Sequence, residues 1–170
     1  MATLHMQTIV NKLEQTSELS GQLVAWLTLF IVMLTFIVVI LRYVFDIGSI
    51  AMQESISYLH AFAFMFGAAY TLKHDGHVRV DIFYRDMTPK KKARVDLVGT
   101  LLLLFPVCLF IFFSSLDYVL TSWSQLEESG EAGGLAYVFI LKAALLIMPI
   151  LLIIQGAALS LKSLLLLKNN

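Results

Sequence analysis

Glu54, His60, Cys108 and Lys142 are ionisable residues set inside long apolar runs. A carboxyl at such a site could carry a proton, a histidine could ligate haem, and opposite charges could pair; each chemistry needs a partner at the right depth. Arg42 ends the first apolar run and Glu54 sits about one turn into the second. Both therefore fall near one membrane boundary, where an ion pair between them is allowed. So shallow a depth favours snorkelling or a subunit salt bridge over a proton relay. His60 has no second imidazole at matching depth, because His5, His74 and His77 all lie outside the apolar runs. Bis-histidine haem ligation therefore fails within the chain, and His60 is expected to be a hydrogen-bonded packing residue. Cys108 is the only cysteine, which excludes a disulfide and a cysteine-rich metal site. Lys142, about two turns into the last run, is expected to reach Asp117 or the outer interface.

The elements that hold these residues follow from composition. Apolar residues make up 59% of the 170 and charged residues only 14%, well below the usual soluble share of about 25%. Mean hydropathy is +0.83. The formal net charge is zero, so no global field points to nucleic acid or an acidic substrate. Such a chain belongs to a membrane. Four runs reach spanning length, at about 23–41, 50–72, 97–120 and 135–161. Backbone groups in lipid must be satisfied internally, so the fold class is an all-α integral membrane protein, one domain of four transmembrane helices over 1–170. The first run is too long for a signal peptide and no small-residue cleavage site follows it, so a permanent span is expected.

Charge is gathered in one place: residues 74–96, HDGHVRVDIFYRDMTPKKKARVD, hold ten of the chain's 24 charged side chains. The connection 73–95 carries Lys73, Arg79, Arg85, Lys90, Lys91, Lys92 and Arg94, whereas the connection at about 121–134 has no lysine or arginine and carries Glu127, Glu128 and Glu131. Positive residues mark the cytoplasmic side, which puts both termini there with Lys12, Lys162 and Lys168. Lys90, Lys91, Lys92 and Arg94 then face the anionic inner leaflet as membrane-surface anchors, each contributing about 1 kcal/mol.

Within this stretch Gly76 is expected to break the second helix. A helical continuation would put His77, Asp81 and Arg85 at i, i+4 and i+8, where such pairs are worth only tenths of a kcal/mol. Thr88 and Pro89 form an N-cap and first-turn pair that starts the next helix. No phosphate-cradling loop, nucleophile–base pair or carboxylate cluster is present. Elsewhere, Met6, Ile9, Val10 and Leu13 recur at helical spacing, which suits a short interfacial helix leading into the first span as well as it suits a disordered tail. Glu54, Ser57, Tyr58, Ala61, Met65 and Ala68 share one face of the second helix. Gly67-Ala68-Ala69, and the IIQGAALSL stretch near the C-terminus, permit close helix approach. Pro106 should kink the third span.

A carrier working alone would need polar groups converging at the midplane, commonly on broken helices in repeated halves. This chain has neither, and reads as an accessory subunit. Its segments LRYVF (41–45), MQESISYL (52–59), FGAAYTLKHDGHVRVDIF (66–83) and LKAALLIMPILLIIQG (141–156), in that order, resemble the small membrane subunit of tripartite ATP-independent periplasmic (TRAP) transporters, the DctQ-like family. The resemblance covers roughly residues 20–160.

It implies a bacterial inner-membrane system in which a periplasmic substrate-binding protein captures an organic acid and a large, separate membrane subunit moves it with sodium. The small subunit would be a scaffold for that elevator-type partner, in contact with membrane lipids. Cofactors are expected to be none in this chain, with sodium coupling in the large subunit. Arg42, Glu54, His77, Arg79, Asp81 and Lys142 are then structural or subunit-interface residues. Two other classes stay open: a homodimeric proton-coupled exporter using Glu54, and a membrane anchor for a redox enzyme.

Overall fold

The computed structural model describes residues 2–78 and 81–168, with side chains from His5 onward and that of Asp81 excepted. Among the described residues the regular structure is all helical: α1 (Ala2–Val44), α2 (Ile50–Lys73), α3 (Asp81–Tyr84), α4 (Pro89–Gly99), a π-helical turn (Thr100–Leu104), α5 (Phe105–Gln125) and α6 (Val138–Lys168). Three helices are long and apolar enough to cross a membrane: 5–44, 89–125 with its π turn, and 138–168. The α2 helix, diluted by Gln53, Glu54, Ser57 and His60, is not among them, where the sequence predicts four.

Two further expectations change. The N-terminal segment is neither a separate helix nor a tail. It runs without a break into the first apolar run, giving a helix of 43 residues, about 65 Å long at 1.5 Å per residue. That exceeds the roughly 30 Å of a hydrocarbon core, so its first turns stand clear of one face. In the basic stretch, α3 is a single turn and His77 lies before it, so His77 and Arg85 are not stacked on one helix.

The terminators are local. Ser49 takes an extended conformation and its side chain accepts from the Met52 N–H at 3.4 Å, capping α2. The α2 helix ends at Lys73 with His74 as its cap, and the turn after it is made by Asp75 rather than Gly76: Asp75 has a positive φ of 58°, and Gly76 N–H then donates to Thr71 C=O at 2.9 Å. Leu126, at φ 48°, ends α5 in the same way, with Glu127 N–H donating to Ser122 C=O at 3.0 Å. Both close otherwise orphaned helix carbonyls. Thr88 and Pro89 do begin α4, although the Thr88 side chain makes no capping bond. Pro106 lacks an N–H, and the π turn just before it, where Phe105 N–H bonds back to Thr100 C=O, lets the helix continue past it.

Packing centres on α6, which touches α1, α2, α4 and α5. Contacts between Glu18 and Lys73, and between Ser17 and Gln155, make α1 antiparallel to both α2 and α6. Glu127 with Lys142, and Trp123 with Phe139, make α5 antiparallel to α6. The buried apolar residues are mostly small, with Ala69, Ala144 and Ala158 fully enclosed. Close approach through small side chains is the usual solution where lipid supplies no hydrophobic drive between helices. At the α1–α2 crossing Gly21 lies against the Tyr70 ring; at the α5–α6 crossing Gly156 faces Leu104 and Phe105. The large apolar residues point outward instead, among them Trp26, Phe30 and Phe36 on α1 and Leu102, Phe110 and Phe113 on the α5 side.

Candidate functional site: polar clasps at the two ends of the bundle

At the end where α1 leads into α2, the connection 126–137 folds back over the start of α2. Glu54 receives it. Its Oε1 accepts from the Ser129 hydroxyl at 2.5 Å and its Oε2 from the Leu135 backbone N–H at 2.6 Å. Ser129 N–H in turn donates to Leu135 C=O at 2.9 Å, which closes the loop on itself. The expected Arg42–Glu54 ion pair is therefore not made. Arg42 is exposed at the end of α1, and among the described residues it has no acidic partner. The Glu54 carboxylate is engaged instead by two donors of the connection 126–137.

Lys142 corrects a second expectation. Its ammonium pairs with Glu127 and sits 3.9 Å from the centroid of the Tyr118 ring, not on Asp117, which is exposed. The Lys142 ammonium holds the Glu127 carboxyl below the ordinary carboxylate range. Nearby in sequence, Phe139 meets Trp123 and Tyr137 edge to face, with ring centroids 5.0 and 6.4 Å apart.

At the opposite end, α1 gathers the other helices. Glu18 accepts from Lys73 at 2.5 Å and meets His74 Nε2 at 3.2 Å, while Tyr70 packs on the His74 ring at 4.3 Å. Glu14 accepts from Lys162 at 3.2 Å. Between them the buried Ser17 hydroxyl donates to Gln155 Oε1 at 2.7 Å, a polar tie from α1 to α6. Reasoning from sequence missed these acceptors. A lone glutamine in LLIIQGAAL was the available signal, since a polar residue in an apolar run needs a partner.

The remaining candidates are scattered. His77 is exposed beside a groove lined by Val24, Gly67 and Thr71. Arg79 and the side chain of Asp81 lie outside the described residues. Lys90, Lys91 and Arg94 are exposed on α4; Lys92 is half-buried, 5.1 Å from the Tyr84 ring centroid, and the Tyr84 hydroxyl donates to Asp96 at 2.8 Å. His60 is exposed on α2. Among the described residues no three His, Cys, Asp or Glu side chains converge as metal ligands. The arrangement can fasten helices and present surfaces.

Residues 31–165 match the family described as tripartite ATP-independent periplasmic transporters, DctQ component. The chain belongs to that family. No curated protein and no solved structure matched. DctQ chains are a component of a transporter that works with other components, and theirs is not an enzyme family. Both clasps concern helices inside the matched range, although Glu14, Ser17 and Glu18 precede it. In this DctQ-family chain Glu54, Lys142 and Gln155 are therefore tied to its own backbone and side chains, whereas Arg42, His60 and Asp117 are exposed.

Proposed function

We propose that this chain is the scaffold subunit of a TRAP-type secondary transporter. It stands beside a larger membrane subunit that moves organic acids with sodium by an elevator motion, after delivery by a periplasmic binding protein. The family match over residues 31–165 carries this reading. The internal use of Glu54 supports it, because a carboxylate holding two loop donors is a fastener, not an exchangeable proton carrier.

In the same reading the chain is one multi-pass domain of the bacterial inner membrane, with α2 as a fourth span and both termini cytoplasmic. The support for α2 is its partners. One end meets the connection 126–137, and the other meets Glu18 of α1, so it extends through the same layer as its neighbours. Arg42, His77, Arg79 and Asp81 are interface candidates, Glu54 and Lys142 structural ones, and Lys90, Lys91, Lys92 and Arg94 anchor the inner surface.

Affinity purification from the native membrane tests the proposal. A much larger polytopic subunit recovered near one-to-one is the expected result. Recovery of the chain only with itself, together with proton exchange by the reconstituted chain, would overturn it and revive the exporter. A haem absorbance band would favour the redox anchor.

A further inference from the structure

Two cavities open beside each other where α4 and the π turn pass α6, at the end of the bundle that holds the termini. One, of about 380 Å³, is walled by Leu72, Phe83, Met87, Leu104 and Leu159. The other, of about 310 Å³, is bordered by Lys73, Lys92 and Lys162. Leu72, Tyr84, Asp96 and Leu159 line both, so the two are one continuous groove, apolar at one end and charged at the other, where three lysines stand with Asp75 and Asp96. Along the helix from Lys92 to Leu104 the groove extends about 18 Å, close to the depth of one leaflet of a hydrocarbon core about 30 Å thick.

The charges at the basic end are not equivalent. Lys73 is held by Glu18 at 2.5 Å, and Lys162 is held more loosely by Glu14 at 3.2 Å. Lys92 has only the Tyr84 ring, with no carboxylate partner among the described residues, and is half-buried rather than spread on the surface. Asp96, which also lines the groove, already accepts the Tyr84 hydroxyl; Asp75 lines the basic part as well.

We propose that this groove holds one anionic phospholipid of the leaflet at the termini end, with its phosphate on Lys92 and Lys162 and an acyl chain against Leu72, Leu104 and Leu159. Charge complementarity and the apolar-to-basic order along one leaflet's depth select this occupant. A zwitterionic lipid brings the same phosphate but adds a cation beside the lysines, so its net attraction is smaller, and a soluble phosphate cannot use the apolar half. The proposal needs only that the helices cross a membrane, and does not depend on the transporter reading.

Gly99 supplies a clean test. It lines the apolar cavity, and a Cβ added there meets nothing within 4 Å, so the position is open to a side chain and Gly99→Leu places one in the groove. The full chain, purified in uncharged detergent, is titrated by native mass spectrometry with phosphatidylglycerol and with phosphatidylcholine of identical acyl chains. One phosphatidylglycerol is expected to bind in clear preference. Lys92→Ala should weaken it about fivefold, as loss of one lysine at an anionic surface predicts. Lys92→Arg should retain it, Lys91→Ala should leave it unchanged, and Gly99→Leu should abolish it at an unaltered melting temperature. Equal affinity for the two lipids, equal loss from Lys91→Ala and Lys92→Ala, or inorganic phosphate binding that ignores Gly99→Leu would each overturn the proposal.

Discussion

Glu54 Oε2 accepts the Leu135 backbone N–H at 2.6 Å, across 81 positions of sequence. A loop amide and a helix carboxylate are thereby fixed to each other, and the connection 126–137 is fastened at the start of α2. Replacing Glu54 by Gln keeps the shape but exchanges one acceptor oxygen for an N–H₂ donor. That donor faces either the Leu135 N–H or the Ser129 hydroxyl, and only the hydroxyl can reverse its role. Glu54→Gln should therefore lower the melting temperature of the purified chain by about 2–4 °C, and Glu54→Ala by more. Hydrogen exchange in residues 126–137 should rise in both. Unchanged exchange there, with full loss of a proton-exchange activity, would contradict the structural role and restore Glu54 as an exchangeable acid.

Hydropathy made the helices legible, because a run of Leu, Ile, Val and Phe in lipid has one way to satisfy its backbone. The partners were not legible in the same way. Arg42 is the nearest opposite charge to Glu54 in sequence, yet the bonds come from Ser129 and Leu135, whose positions depend on how α5 turns back to α6. Lys142 shows the same limit: Asp117 and Glu127 lie on the same side of it in sequence, and the left-handed turn at Leu126 brings Glu127 into reach. The unbroken α1 was hidden by its composition, since the polar face of residues 11–18 reads as interfacial until Glu14, Ser17 and Glu18 find partners on α2 and α6.

Gly21 is a second place where one atom decides packing. An added Cβ would lie 2.1–2.6 Å from Cδ2, Cε2 and Cγ of Tyr70. Tyr70 cannot swing away cheaply, because its ring already packs on His74. Overpacking of this kind costs about 1–3 kcal/mol, and Gly21→Ala should destabilise the chain by that amount in detergent unfolding. Gly48→Ala, where nothing lies within 4 Å, serves as the control. Combining Gly21→Ala with Tyr70→Leu should recover part of the loss. A Gly21→Ala chain as stable as the Gly48→Ala chain would mean that the α1–α2 crossing is wider than described.

The Glu127–Lys142 pair sets a pH dependence with a definite sign. The folded-state pKa of Glu127 is depressed by the Lys142 ammonium, so its contribution is fully present above the ordinary glutamate value of about 4.3 and is lost as pH falls through the lower folded value. Relative to the intrinsic, base-catalysed exchange rate, protection of residues 126–137 should fall only on acidification below that range and stay constant from pH 7 to 6. Glu127→Gln should reduce this acid step, leaving the part that belongs to the Glu54 carboxylate on the same loop, and leave exchange near Glu18 unaffected. A loosening centred near pH 6.5 would instead implicate a histidine.

Ser17 and Gln155 allow the tie between α1 and α6 to be measured rather than inferred. The two groups are buried and 2.7 Å apart. Their single losses are not symmetric. With Gln155→Leu, the Ser17 hydroxyl can turn to a carbonyl of its own helix, as Ser20 already does toward Ser17 C=O at 2.7 Å. With Ser17→Ala, Gln155 Oε1 stays enclosed without its donor, at a cost of about 1–3 kcal/mol. Ser17→Ala should accordingly be the more damaging single change, and the double variant should recover stability relative to the sum of the two. Coupling of about 0.6 kcal/mol, the usual size between membrane helices, is the expected reading of a double-mutant cycle in detergent. Strict additivity would mean that water or the solvating detergent already satisfies both groups, and that Glu14–Lys162 and Glu18–Lys73 alone hold the first turns of α1 to the bundle.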